Sequence, residues 1–195
     1  MKKKTLAFVL ALLVCVSFAA GATQAYFTSQ VATHNVITTG GVSVVLHEQQ
    51  ADGTAYPRDP VKAMPGSVIT KKAFVENLDA DAYIRARYTL QVRDPKGKVI
   101  QLTQAELEDL IIVTGTDSRW KDCGDGWLYY SEILTKEKTT GYLLTTVELS
   151  GPNITSKYAG CSFDVIVQAQ AVQAKNNQPK VEGNLSTLGG WPAES

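Results

Sequence analysis

The stretch Ala82-Tyr83-Ile84-Arg85-Ala86-Arg87-Tyr88-Thr89-Leu90-Gln91-Val92-Arg93 alternates without a break. Ala82, Ile84, Ala86, Tyr88, Leu90 and Val92 fall on one side, and Tyr83, Arg85, Arg87, Thr89, Gln91 and Arg93 on the other. Successive side chains of an extended chain point to opposite faces, so the pattern predicts a strand with one buried and one wetter face. Asp94-Pro95-Lys96-Gly97 follows as a turn, with Pro and Gly supplying the backbone angles a reversal needs. Ser162–Gln173 alternates again, with Phe163, Val165, Val167, Ala169 and Ala171 opposed to Asp164, Ile166, Gln168, Gln170 and Val172. Residues 41–47, 68–76, 128–132 and 142–149 are shorter strand candidates, punctuated by Gly and Pro. One helix is expected, because Thr103 and Glu106 form a capping box and Leu107, Leu110 and Ile111 follow at helical spacing. These elements predict a mostly β chain, an antiparallel jelly roll or β-sandwich with one short helix.

The N-terminus reads as an export signal. Lys2, Lys3 and Lys4 precede an almost wholly apolar run, and the small residues Ala19, Ala20, Gly21 and Ala22 close it. A basic end, a short apolar core and a small-residue exit are the parts of a cleavable secretory signal. The run is roughly sixteen residues, shorter than the ~20 that span a bilayer, and no basic stop-transfer cluster follows it. Cleavage is expected between Ala25 and Tyr26, with Thr23 and Ala25 as the small residues before the cut. The opposing reading is an uncleaved anchor helix, and in both readings the chain meets a membrane only through this segment. Cys15 follows Val14, where lipid attachment would want a small residue. Behind the signal (1–25) the expected organisation is an N-terminal segment (26–40), a β domain (41–174) and a tail (175–195). The tail is rich in Asn, Gln, Pro and Gly and is expected to be loosely ordered. The expected location is secreted, in the extracellular matrix or on the cell surface.

Basic and acidic residues number nineteen each, and the signal contains three lysines and no acid, so the mature chain carries a net charge of −3. That balance offers no polybasic surface, and no nucleic-acid partner is expected. Cys123 and Cys161 survive cleavage, and in an oxidising compartment an even pair is a candidate disulfide. The bond would close a loop of 39 residues and add roughly 4 kcal/mol on the chain-entropy model. The alternative is two independent thiols.

Catalytic chemistry finds little support. His34 and His47 are isolated, and His47-Glu48-Gln49-Gln50 lacks the second histidine of a zinc-protease helix, since Ala51 stands in its place. Zinc needs at least three protein ligands in fixed geometry, so no metal or cofactor is assigned. Neither a nucleophile elbow, a P-loop nor a dinucleotide fingerprint is present. Asp117, Asp122 and Asp125, set around Gly124 and Gly126, are either a calcium-binding loop without EF-hand spacing or a solvated turn. Arg85, Arg87 and Arg93 are either a grip for an anionic polymer or a charged solvent face that discourages wrong pairing. Asn153-Ile154-Thr155 and Asn184-Leu185-Ser186 match glycosylation sequons, short patterns that carry little weight by themselves.

Several motifs occur in a meaningful order. Gly21-Ala22-Thr23-Gln24-Ala25-Tyr26-Phe27-Thr28 is similar to the G-x-T-x-A-x-F-[ST] junction cut by the specialised signal peptidase SipW. After it come Gly41-Val42-Ser43-Val44-Val45-Leu46, then Met64-Pro65-Gly66-Ser67 with Lys71, Phe74, Glu76 and Asn77. Ala82-Tyr83-Ile84-Arg85-Ala86-Arg87 follows, and then Tyr158 with the stretch 163–174. Together these resemble the TasA/camelysin family of exported Gram-positive proteins over nearly the whole mature chain except the tail. The resemblance implies a jelly-roll subunit of extracellular biofilm-matrix fibres. It further implies polymerisation with copies of itself, release by the signal peptidase, and accessory matrix proteins as further partners. In that family an N-terminal segment adds as a strand to the next subunit, so residues 26–37 are expected to be poorly ordered in the monomer. Phe27, Val31 and Ile37 are its inward-facing candidates, and it contains no Pro. Camelysin has been described as a surface metalloprotease, but this chain supplies no ligand set for that activity. The cysteine pair does not map onto the family. The competing reading is a monomeric cell-surface binding or adhesion module without catalytic activity.

Overall fold

The computed structural model describes residues 25–27, 36–39 and 42–192. The export-signal reading of residues 1–24, with Gly21 and Thr23, lies outside them, as do His34 and Val31. The strands are β1 (Ala25–Phe27), β2 (Val36–Thr39), β3 (Val44–Gln49), β4 (Val61–Ala63), β5 (Val68–Asn77) and β6 (Ala82–Arg93). After helix α1 (Gln104–Leu110) come β7 (Ile111–Thr114), β8 (Trp120–Asp122), β9 (Leu128–Tyr130), β10 (Leu144–Leu149) and β11 (Ser162–Gln173). One sheet has the order β4-β1-β11-β6-β9-β8, with β2 also paired to β11, and the other has the order β3-β5-β10-β7. The chain is therefore a mostly β, two-sheet sandwich. Its pairings are antiparallel except where β1 and β2 run parallel to β11.

The two long alternating stretches form the spine of the first sheet. β6 and β11 pair along their whole length, from Ser162 opposite Arg93 to Gln173 opposite Ala82. Their apolar rows face the second sheet, so Ile84, Val92, Phe163, Val165 and Val167 pack with Ala73, Val75, Leu144, Val147 and Leu149 in one core. Each large apolar side chain buried this way stabilises the fold by about 1.5–3 kcal/mol. Thr103 caps α1 in the reciprocal box read from the sequence, its hydroxyl accepting from Glu106 N while the Glu106 carboxylate accepts from Thr103 N. The helix stops one residue earlier than its spacing predicts. Ile111 takes extended backbone angles and opens β7, where Ile111 to Thr114 pair with β10. The β-branched run Ile-Ile-Val-Thr fits a pleated surface better than a helical turn.

Two expectations about the ends of the chain are corrected. Residues 26–37 were expected to be poorly ordered in the monomer, yet the described ones among them, 26–27 and 36–37, lie in β1 and β2, which pair with β11 of the same chain. Without them the outer edge of β11 would present unpaired N–H and C=O groups along a core strand. The tail is folded onto the first sheet instead of being loosely ordered. Leu188 is buried with Tyr83, Val172 and Ala174, and Leu185 and Trp191 pack against that cluster. Thr187 Oγ1 accepts from Val181 N at 3.1 Å and Gly189 O from Asn177 Nδ2 at 3.0 Å, closing the tail on itself. Apolar residues spaced through a polar segment escape a composition-based reading, because three or four anchors are enough to hold it.

Candidate functional site

The first sheet contains an inserted strand. β1 lies between β4 and β11, with Tyr26 opposite Lys62 on one side and opposite Ser162 on the other. Among the described residues β4 has no other strand partner, so β1 joins β4 to the rest of the sheet. Farther along the same edge, β2 takes a second parallel register, Val36 opposite Ala169 to Thr39 opposite Val172. The expected scissile bond, Ala25 to Tyr26, falls inside β1, where Ala25 pairs with Ala63. Beside this slot, Asp164 is fully buried and receives Arg93 Nε at 2.9 Å, while its Oδ1 has no hydrogen-bond partner. Burial pushes the Asp164 carboxyl above its ordinary value, and the Arg93 hydrogen bond opposes that.

The arginine row is not an open solvent face, since Arg85 is buried and Arg87 and Arg93 are half-buried. Arg85 is 8 % exposed, and its Nε and Nη2 donate to Gln170 Oε1 at 2.9 and 2.6 Å. Its Nη1 donates to the Tyr129 hydroxyl at 3.3 Å, and that hydroxyl donates to Asp125 Oδ2 at 2.6 Å. The guanidinium carbon stands 4.3 Å from the Trp127 ring centroid and 4.6 Å from that of Trp191, so the cation lies between two indoles. Arg87 stacks on Trp127 as well, at 4.3 Å. The tail supplies Trp191, which is why alternation alone assigned this face to water. Burial is also the main cause that pushes the Tyr129 hydroxyl up to about 12.

The other candidate residues are dispersed. Asp117 forms a two-point pair with Arg119, at 2.9 and 3.0 Å, which holds its carboxyl down at about 2. Asp122 accepts from Gly124 N, and Asp125 accepts from Trp127 N and Tyr129. These carboxylates serve their own turns, and among the described residues no three His, Cys, Asp or Glu side chains converge for a metal. His47 pairs with Glu76 at 2.7 Å and stacks on Phe74 at 5.0 Å.

The candidate disulfide is not formed. Cys123 and Cys161 are both free, and the ladder explains why. Cys123 follows Asp122, whose partner Leu128 pairs with Ala86, whereas Cys161 precedes Ser162, which pairs with Arg93. The run of β6 from Ala86 to Arg93 covers about 23 Å at ~3.3 Å per residue. A disulfide requires Cα atoms within about 7 Å.

These features define a two-sheet β-sandwich whose N-terminal strand occupies a slot between two other strands. No protein-family model, no curated protein and no solved structure matches the chain significantly.

Proposed function

We propose that this chain is an exported structural subunit of extracellular matrix fibres, and that it polymerises when the β1–β2 segment of one copy enters the β4/β11 slot of another. The observation that supports this most is the slot itself. A short strand, made by the residues at the expected cleavage point, sits between two strands that do not pair with each other. Such a strand contributes through backbone hydrogen bonds that any copy can supply, so the slot can accept the equivalent segment from a second subunit. Strand exchange is a head-to-tail contact, and a contact of that kind that does not close generates filaments.

Competition between the two partners sets the kinetics. Within one chain the segment is present at an effective concentration in the millimolar range for a short flexible connection. Exchange therefore needs locally concentrated subunits or a pre-existing fibre end. Growth should show a lag that seeds abolish. The test compares the mature chain starting at Tyr26 with a truncation starting at Gly40, by electron microscopy and sedimentation. Fibres from the first and none from the second are expected, with a synthetic peptide of residues 26–39 blocking growth. Identical fibres from both, or none from either under conditions that keep the fold, would sink the reading. A surface-binding module would then take its place, with the cavity of about 310 Å³ lined by Phe74, Asp117, Arg119 and Tyr142 as the first place to look for a ligand.

A further inference from the structure

The inward face of β3 and β5 carries two ionisable groups where a sandwich core ordinarily has apolar ones. Lys71 is fully buried and Glu48 is 9 % exposed, and Lys71 Nζ lies 2.5 Å from Glu48 Oε1. Strand register brings them together. Glu48 pairs with Ala73, and Lys71, two residues before Ala73, points to the same face. The turn after β3 closes through the Gln49–Ala55 bridge, and Tyr56 N donates to Glu48 O at 2.8 Å. This places the Tyr56 ring against the amine, with Nζ 4.5 Å from its centroid. The Tyr56 hydroxyl and both Glu48 side-chain oxygens are buried without a satisfied hydrogen bond. Amine and carboxyl are thus in direct contact inside the core, away from bulk water. Burial raises the Glu48 carboxyl and lowers the Lys71 amine, and the attraction between their charges only partly opposes either shift. Both directions favour the neutral acid beside the neutral amine.

We propose that Lys71 and Glu48 form a self-processing cross-link site, in which Lys71 Nζ condenses with Glu48 Cδ to give an intramolecular amide between β5 and β3. The amine lone pair attacks Cδ, a C–N bond forms, and the carboxyl C–O bond to the hydroxyl breaks. The departing hydroxyl takes a proton released by the nitrogen and leaves as one water, so no oxidant, reductant or cofactor is needed. The Tyr56 ring covers the amine, and burial pushes the Tyr56 hydroxyl up to about 12, so it stays protonated at neutral pH. Fixed contact replaces a bimolecular encounter, an advantage on the order of 10⁵ M or more in effective concentration. A water-poor site also limits the reverse hydrolysis. The amide would tie off residues 48–71, the excursion that carries β4. It would brace the outer wall of the β1 slot, although the chemistry does not depend on the fibre reading.

The experiment is intact-mass measurement of the folded mature chain, followed by tandem mass spectrometry of its peptides. The expected result is a chain lighter by one water, with a branched peptide joining Lys71 to Glu48, and full sequence mass in Lys71→Arg. Asp52-Gly53 and Asp125-Gly126 can also lose water by closing to succinimides, but that loss persists in Lys71→Arg and is reversed by mild alkali. A wild-type chain at full mass, or a water loss mapped elsewhere, overturns the proposal. The wild-type branched peptide decides the matter even if Lys71→Arg does not fold.

Discussion

Replacing Arg85 by Met keeps most of the apolar stem and removes the guanidinium from between Trp127 and Trp191. The change deletes two hydrogen bonds to Gln170 and one to Tyr129, and leaves Gln170 Oε1 without those donors in a buried position. Hydrogen bonds to charged groups contribute about 1.5–3 kcal/mol each, and desolvated cation–π contacts about 2 kcal/mol. Against this stands the desolvation of the cation, several kcal/mol, which Met no longer requires. The expected net loss is about 3 kcal/mol, or roughly 6–12 °C in melting temperature for a domain of this size. Thermal and urea unfolding of the mature chain measure it. Trp191→Ala provides the second arm of a double-mutant cycle, with an expected coupling of about 1 kcal/mol because the two side chains touch. If Arg85→Met melts within about 1 °C of wild type, or the coupling is zero, the tail is not anchored through this stack and the reasoning fails.

Three further outcomes are expected. Gly115→Ala should be destabilising by more than about 2 kcal/mol in denaturant midpoint, because the residue has φ +84° and a Cβ there would stand 1.7 Å from Thr145 Oγ1. Asp164 binds its proton more tightly in the fold than in the unfolded chain, so its contribution to stability falls as pH rises from the ordinary 3.8 through the raised native value. Wild type should therefore gain on Asp164→Asn as the pH falls through that raised value toward 3.8, and a difference independent of pH would contradict the burial argument. Thiol labelling should modify the half-buried Cys123 in the native protein and Cys161 only after denaturation; a non-reduced chain that takes up no label when unfolded would show a bond instead.

The alternation of residues 82–93 and 162–173 was sufficient by itself for the two central strands. Period-two patterning records which face meets the core, and a long strand repeats that record often enough to be read. The capping box at Thr103 was legible for a similar reason, being a local exchange of hydrogen bonds within four residues. Short elements were not legible. β4, β7 and β8 have three or four residues each, too few for a period, and exist because a neighbour's edge offers hydrogen bonds. The same limit misled the reading of Arg85, whose burial depends on Trp191, more than a hundred residues away in the chain. It also misled the cysteines, where parity and compartment favoured a bond that strand register holds apart. Lys71 and Glu48 do not stand out in the sequence, since no sequence spacing reveals that a diagonal across two antiparallel strands puts an amine against a carboxyl. Composition and periodicity thus determined the class of fold and its central strands. Which polar side chains face the core, which edge accepts the N-terminal strand, and where the tail lies were decided by tertiary contact, because each depends on groups that only the folded chain brings within a few ångströms.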